Sequence, residues 1–236
     1  MSVPRIRLSQ EEHDEIISKR KLNAGNTLII GDLHAPFIHK DYLNFCIDMQ
    51  KKWSCKNIVF IGDLIDNHYS SFHETDPDGM GAGMELQKAK EQIQGFYKAF
   101  PNAVVTKGNH DSIPSRVGFK NGLSDFWLRS ISEVLETPNW EYKEVHMQNG
   151  IMFCHGLGQQ ATARMENELC SVVQGHYHSK SYIKFISGTP NLFALQIGCG
   201  IDINTYAMAY AKWYKKIHLN VGIILDNKIP ILEYME

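Results

Sequence analysis

Short apolar runs, each cut off by a glycine or a polar residue, set the rhythm of this chain. Thr27-Leu-Ile-Ile30 stops at Gly31, Asn57-Ile-Val-Phe-Ile61 stops at Gly62, and Ala103-Val-Val-Thr106 ends two residues before Gly108. Brief apolar runs bounded by turn residues predict buried strands. Between them, Asp41–Lys52 and Glu85–Phe100 carry helical spacing, with Asp41 as a candidate cap and Pro101-Asn102 as a stop. Ser9–Lys21 also reads as a helix, because Ser9 and Glu12 fit a capping box and Gly25 can end the segment. Residues 67–84 and 112–124 are rich in loop formers, and Asp125–Glu136 is predicted as helix.

From residue 141 the pattern turns to strands. Glu141–His146 and Ile151–Cys154 flank Gln148-Asn-Gly150, which predicts a hairpin. Ala161–Leu169 has helical character, and Ser171–Val173, Tyr182–Ile186, Leu192–Ile197, Val221–Leu225 and Ile229–Tyr234 read as strands. Alternating strands and helices followed by mostly strands predict an α/β protein with two packed sheets. No repeat or linker divides the chain, so residues 1–236 read as a single domain with 1–26 as an N-terminal helical extension.

Composition narrows the setting. Hydrophobic residues make up 43% of the chain and charged residues 21%, which suits a core-forming protein. A net charge of −2 excludes a global basic field for gripping nucleic acid and leaves room for a local patch. The five cysteines form no Cys-x-x-Cys pair and read as reduced thiols of a cytoplasmic protein. No secretory leader and no membrane-spanning run are expected.

Candidate chemistry sits directly after the apolar runs. Asp32-x-His34, Gly62-Asp63-x-x-Asp66, Gly108-Asn109-His110-Asp111, His155-Gly156 and Gly175-His176-x-His178 follow strand signals in turn. Alone, each has an ordinary reading. Asp-x-His is commonly a polar loop, Gly-Asp is common in turns, and a strand-end histidine is often a hydrogen-bonded filler. Gly-Asn-His-Asp is sharper, because four small or polar residues after Val104-Val105 serve no core. Together they predict one pocket, since ligands collect beyond the carboxyl ends of strands in an open α/β sheet. Carboxylate, amide and imidazole donors suit Mn²⁺, Fe or Zn²⁺ without thiolates. Two ions about 3.5–4 Å apart need a bridging anion, for which Asp63 is the natural candidate. A hydroxide between the ions would be the nucleophile, because metal binding lowers the pKa of water to roughly 7.

With these motifs the chain resembles the calcineurin-like metallophosphoesterase superfamily. The matched segments run from residue 27 to about 180. The resemblance implies a four-layer α/β/β/α sandwich of two mixed sheets, with a dinuclear centre at the C-terminal edge of the strands. It implies that Asp32, His34 and His178 bind the first metal, that Asp63 bridges, and that Asn109, His155 and His176 complete the second. The ions would be two divalent metals, with Mn first and Fe, Zn or Ni as alternatives. His110 resembles the family's catalytic histidine and Asp66 its partner carboxylate, while Asp111 is expected to brace the loop. Asn67-His68 stands where the protein Ser/Thr phosphatase branch carries Arg-Gly. The pattern is therefore more similar to the phosphodiesterase and repair-nuclease branches. The short length and Gly198–Ile203 also resemble stand-alone members from bacterial viruses and prophages, which would act in the host cytoplasm.

The expected function is hydrolysis of a phosphoester, with a diester such as a nucleotide or nucleic acid slightly favoured. A phosphomonoesterase acting on phosphoproteins or small metabolites is the alternative, and a non-catalytic metal-binding scaffold is the alternative of another class. Oligomeric state is left open, and no membrane partner is expected. Asn109 and His110 are candidate substrate contacts, joined by His68, His73 and Arg116, with Lys120 nearby. His68 and His73 have an equally ordinary reading as solvated loop residues. Lys212, Lys215 and Lys216 around Trp213 and Tyr214 suit nucleic acid or a plain amphipathic surface.

Overall fold

The computed structural model describes residues 25–71, 78–188, 191–202, 204–205 and 216–236. The expected N-terminal helix, His73, and the Lys212–Lys215 stretch lie outside the described residues. The first half alternates β1 (Asn26–Ile30), α1 (Tyr42–Lys52), β2 (Cys55–Phe60), α2 (Ala82–Ala99) and β3 (Ala103–Thr106). Two short helices, α3 (Ile113–Lys120) and α4 (Ile131–Leu135), lead into β4 (Trp140–Lys143), β5 (Val145–Gln148) and β6 (Ile151–Cys154). Then come α5 (Ala161–Glu168), β7 (Ser171–Gln174), β8 (Tyr182–Ile186), β9 (Leu192–Gln196), β10 (Asn220–Leu225) and β11 (Ile229–Tyr234).

These strands build two mixed sheets. One has the order β11-β10-β1-β2-β3-β4, and the other β5-β6-β7-β9-β8. Within the first, β1 to β4 run parallel, while β10 and β11 are antiparallel to their neighbours. In the second, β6, β7 and β9 are parallel and the edge strands β5 and β8 are antiparallel.

Alternation along the strands sorts the core into layers, because successive side chains point to opposite faces. Leu28, Ile30, Ile58 and Phe60 pack under Cys46, Ala89, Ile93 and Phe96 of α1 and α2. Ile29, Val59 and Ile61 point the other way and meet Phe153, Val173 and Leu195 of the second sheet. Cys154, Val172 and Ala194 on the far face lie against Ala161 and Met165 of α5. The result is the expected helix–sheet–sheet–helix sandwich. No helix among the described residues is long and apolar enough to cross a membrane.

Three stretches differ from the sequence-based expectation. Residues 113–120 are helical rather than loop, because Pro114 falls in the first helical turn, where its missing N–H costs nothing. The helix expected over 125–136 is broken into a 3₁₀ turn at Asp125–Trp127 and α4. Extended backbone at Ser130 restarts it, with a complete Ser130–Glu133 capping box. Glu141–His146 is two strands in different sheets, parted by a bend at Glu144. The expected hairpin survives as β5–β6, whose turn residues Asn149 and Gly150 both have positive φ.

Candidate metal centre

Parallel strands release their following loops at a common edge. The loops after β1, β2 and β3 carry Asp32 and His34, Asp63 and Asp66, and Asn109 and His110. The loops after β6 and β7 bring His155, and His176 with His178, to the same place. Backbone bonds stitch these loops before any metal is considered. Leu33 and His34 donate their N–H groups to the Asp63 carbonyl at 3.0 and 2.9 Å. The Asp111 carboxylate accepts from Leu64, Ile65 and Gly108, so it braces the loops as expected.

The donor atoms gather in two main groups. Asp32, His34 and His178 form one, and Asp63, His155 and His176 the other; a third grouping joins His34, Asp63 and His110. Asp63 lies between them, its Oδ2 3.1 Å from His155 Nε2 and 3.5 Å from His34 Nε2. Asn109 Oδ1 and His176 Nδ1 approach His155 Nε2 at 3.0 and 3.1 Å. Asp32 Oδ2 accepts the His176 N–H and stands 3.1 Å from His178 Nε2.

Tautomers can be read from the partners, because a carbonyl oxygen only accepts. His155 Nδ1 faces the Ile61 carbonyl at 3.0 Å and therefore carries hydrogen, which makes Nε2 the lone-pair donor of the neutral ring. His34 Nδ1 faces Asp66 Oδ1 at 2.5 Å, which likewise points the Nε2 lone pair at the centre. That Nε2 and Asp32 Oδ1 are buried with no hydrogen-bond partner. Buried acceptors left unmatched, and lone pairs converging on one another, are costly unless a cation joins them. The residues present fit divalent cations, and no thiolate is among the donors.

The protonation of these side chains tells the same story. Burial disfavours a charge on His34 and lowers its pKa against the pull of Asp66, which keeps a neutral ligand. Burial also works against ionisation of Asp63, but His155, His34 and His110 outweigh it and hold the carboxyl well below its usual range. At His155 burial is again overcome: Asp63 and Asp32 push the pKa up to about 10. A proton thus stands in for a cation. That proton stabilises the metal-free fold below the ordinary histidine range near 6.5, and the contribution is lost as pH rises through about 10. A divalent cation bound here would displace it, so adding Mn²⁺ at pH 8 is expected to release protons. Calorimetry in two buffers of different ionisation enthalpy measures this, and identical heats would contradict it.

The backbone here is unusual as well. His34, Asp63, Asn67 and His176 all have positive φ. Each such non-glycine residue costs about 1–3 kcal/mol and persists only where its surroundings impose it. Glycines allow the close approach: a Cβ on Gly108 would strike the Asp63 carboxylate, and one on Gly175 would strike Asp32 and Ile61. Gly108→Ala should therefore destabilise the fold by about 1–3 kcal/mol, as overpacking does, and lower metal content. A melting curve with parallel elemental analysis checks both.

Asp66 is buried at the middle of three imidazoles. Its carboxylate is 2.5 Å from His34 Nδ1, 3.5 Å from His110 Nδ1 and 3.9 Å from His68 Nδ1. Its tightest side-chain contact is thus His34, a candidate metal ligand, whereas His110 Nδ1 makes its 2.5 Å contact with the Asp66 carbonyl. His68 is buried in a 3₁₀ turn at His68–Ser70 rather than solvated. Arg116 is exposed on α3 and Lys120 ends that helix. Two participants escaped the sequence reading. Glu85, read only as a helix start, is buried and accepts the His68 and Tyr69 N–H groups. Asn67, noted only for what it replaces, donates to the His110 carbonyl. An asparagine directly after the motif's last aspartate was the available signal.

The chain belongs to the calcineurin-like phosphoesterase family, whose model matches residues 25–203. Membership and the Asp/His donor set together support a metal-dependent phosphoesterase. No curated protein matches the chain. Similar solved structures include a single mutant of Vps29 from Entamoeba histolytica, at 13% identity and TM-score 0.45, covering 89% of this chain and 98% of that one. The nuclease MPE of Pseudomonas putida has 11% identity and TM-score 0.37, covering 76% and 75%. The phosphoesterase Yfce of E. coli has 11% identity and TM-score 0.39, covering 89% and 100%. At these identities and scores they carry no argument about activity here.

Proposed function

We propose that the protein is a binuclear metal-dependent hydrolase of phosphoesters, acting on a phosphodiester such as a nucleotide or nucleic acid. The carrying observation is the convergence of two donor groups around Asp63, with the His110 ring beside them and its Nδ1 on the Asp66 carbonyl. Asp32, His34 and His178 would hold one cation, and Asn109, His155 and His176 the other, with Asp63 shared. Mn²⁺ fits this donor set, as do Fe, Zn and Ni. When bound, the cations supply an activated water and neutralise charge on the phosphoryl oxygens.

The chain's own part is positioning and proton transfer. His110 Nδ1 is committed to the Asp66 carbonyl, so Nε2 is the nitrogen that exchanges a proton with substrate. Burial opposes the His110 imidazolium, but Asp63 and Asp66 raise its pKa, which favours the form that can protonate a leaving oxygen. Asp66 also fixes the His34 ring. Among the described residues, the ion pairs at the centre join only aspartates and histidines. Asn67-His68 after Asp66, in place of an Arg-Gly pair, favours the single negative charge of a diester over a monoester dianion.

The test is a Mn²⁺-loaded comparison of aryl phosphate diesters, aryl phosphate monoesters, cyclic nucleotides and single-stranded DNA. Faster turnover of the diesters or DNA supports this reading. A preference for monoesters replaces it with a phosphatase, and no Mn²⁺-stimulated hydrolysis of any of them leaves the scaffold reading.

A further inference from the structure

His110 is held at three points, and only one belongs to the metal-ligand set. Its backbone N–H donates to Asp63 Oδ1 at 2.8 Å. Its ring Nδ1 donates to the Asp66 carbonyl, and its own carbonyl accepts from Asn67 Nδ2 at 2.9 Å. The last two bonds are reciprocal. Residue 66 receives from the His110 ring through its backbone, and residue 67 gives to the His110 backbone through its side chain. We infer that Asn67 is a positioning residue for His110, locking the ring's tautomer and direction through this two-bond clamp.

The local geometry explains why asparagine stands there. Asn67 is left-handed, at φ 52° and ψ 38°, which turns the chain sharply after Asp66 and lets side chain and preceding carbonyl face the same partner. Asparagine tolerates this conformation and supplies an N–H donor, which aspartate cannot do when ionised. The turn is anchored from behind. Glu85 on α2 is buried, and its two oxygens accept the N–H groups of His68 and Tyr69 at 2.7 and 3.2 Å. The 3₁₀ turn that follows Asn67 is thus tied to a helix packed in the core, so the clamp works from a fixed base. Asp111 ties the same two loops a second time, through Leu64 and Ile65. That second tie should hold the loops together when Asn67 is altered, which separates positioning from folding.

The kinetic half of this inference rests on the phosphoesterase reading; the spectroscopic half does not. Asn67→Gly keeps the left-handed backbone and deletes the donor, and Asn67→Asp keeps shape and conformation while removing the N–H. With the best diester of the panel, both are expected to lower kcat about tenfold, the size of one lost positioning hydrogen bond, with KM within about twofold and metal content unchanged. In a His110→Ala background, Asn67→Gly should cost nothing further, because its effect runs through that ring. Independently, ¹⁵N imidazole spectra of the wild type should show His110 as a single Nδ1–H tautomer when neutral, and Asn67→Gly should mix the two tautomers. Unchanged His110 signals in Asn67→Gly overturn the inference, whether or not the wild type hydrolyses anything. So does additive loss in the double variant. An inactive wild type with the expected spectral change sinks the functional reading and leaves the clamp standing.

Discussion

Asp63→Asn is expected to empty the centre and stop hydrolysis in one step. This carboxylate belongs to one donor group and reaches toward the other, with its Oδ2 3.1 Å from His155 and 3.5 Å from His34. The buried imidazoles around it hold it ionised, so under the proposed function it would supply the negative charge that lets two cations sit side by side. An amide keeps the shape and removes that charge. It also removes an acceptor from the His110 N–H if its NH₂ group turns that way. We expect a rate loss of at least about 10³-fold, the upper end for losing a single electrostatic contact. Elemental analysis after Mn²⁺ reconstitution should find the variant depleted, while circular dichroism shows the sandwich intact. A fully active Asp63→Asn would remove the bridging mechanism altogether.

His110→Ala is expected to do the opposite with the metal. The ring groups with His34 and Asp63, but its Nδ1 is committed to the Asp66 carbonyl, and under the proposed function its Nε2 serves substrate rather than a cation. Cation content should therefore stay near that of the wild type, while kcat falls about 10²–10⁴-fold, the usual range for losing an acid–base group. The pH profile sharpens the test. Asp63 and Asp66 raise the His110 pKa despite burial, so the proton needed by the leaving oxygen is held to a higher pH than an ordinary imidazole would hold it. The wild type should show a falling alkaline limb that His110→Ala lacks. The loss should shrink with substrates whose leaving groups are already acidic, because these need no proton. Equal losses for nitrophenyl and alkyl leaving groups would assign His110 a different role.

The two assignments draw on different kinds of information. Asp32, His34, Asp63, Asn109, His155, His176 and His178 were visible as a set because each follows a strand signal, and strand direction places such residues at one edge. Layering was visible for a similar reason. The period-two pattern of Leu28-Ile29-Ile30 and Ile58-Val59-Phe60 separates the two faces on which helices and the second sheet pack. These features depend on short-range rules of apolar burial and backbone geometry, which a linear chain displays openly.

Other features needed the folded molecule. The break at Glu144 places consecutive strands in different sheets, an outcome set by which partner strand each half meets. That Asp66 leans on His34 more closely than on His110 depends on side chains 32 and 44 residues away. Glu85 reads along the chain as one more helical glutamate, and its purpose appears only where the 68–70 turn is brought onto α2. Residue order displays what local periodicity and strand ends dictate, namely the layers and the candidate ligands gathered at one edge. Long-range packing chooses which nitrogen carries the proton and which loop is tied to which, because those choices turn on distances of a few tenths of an ångström between groups remote in the chain.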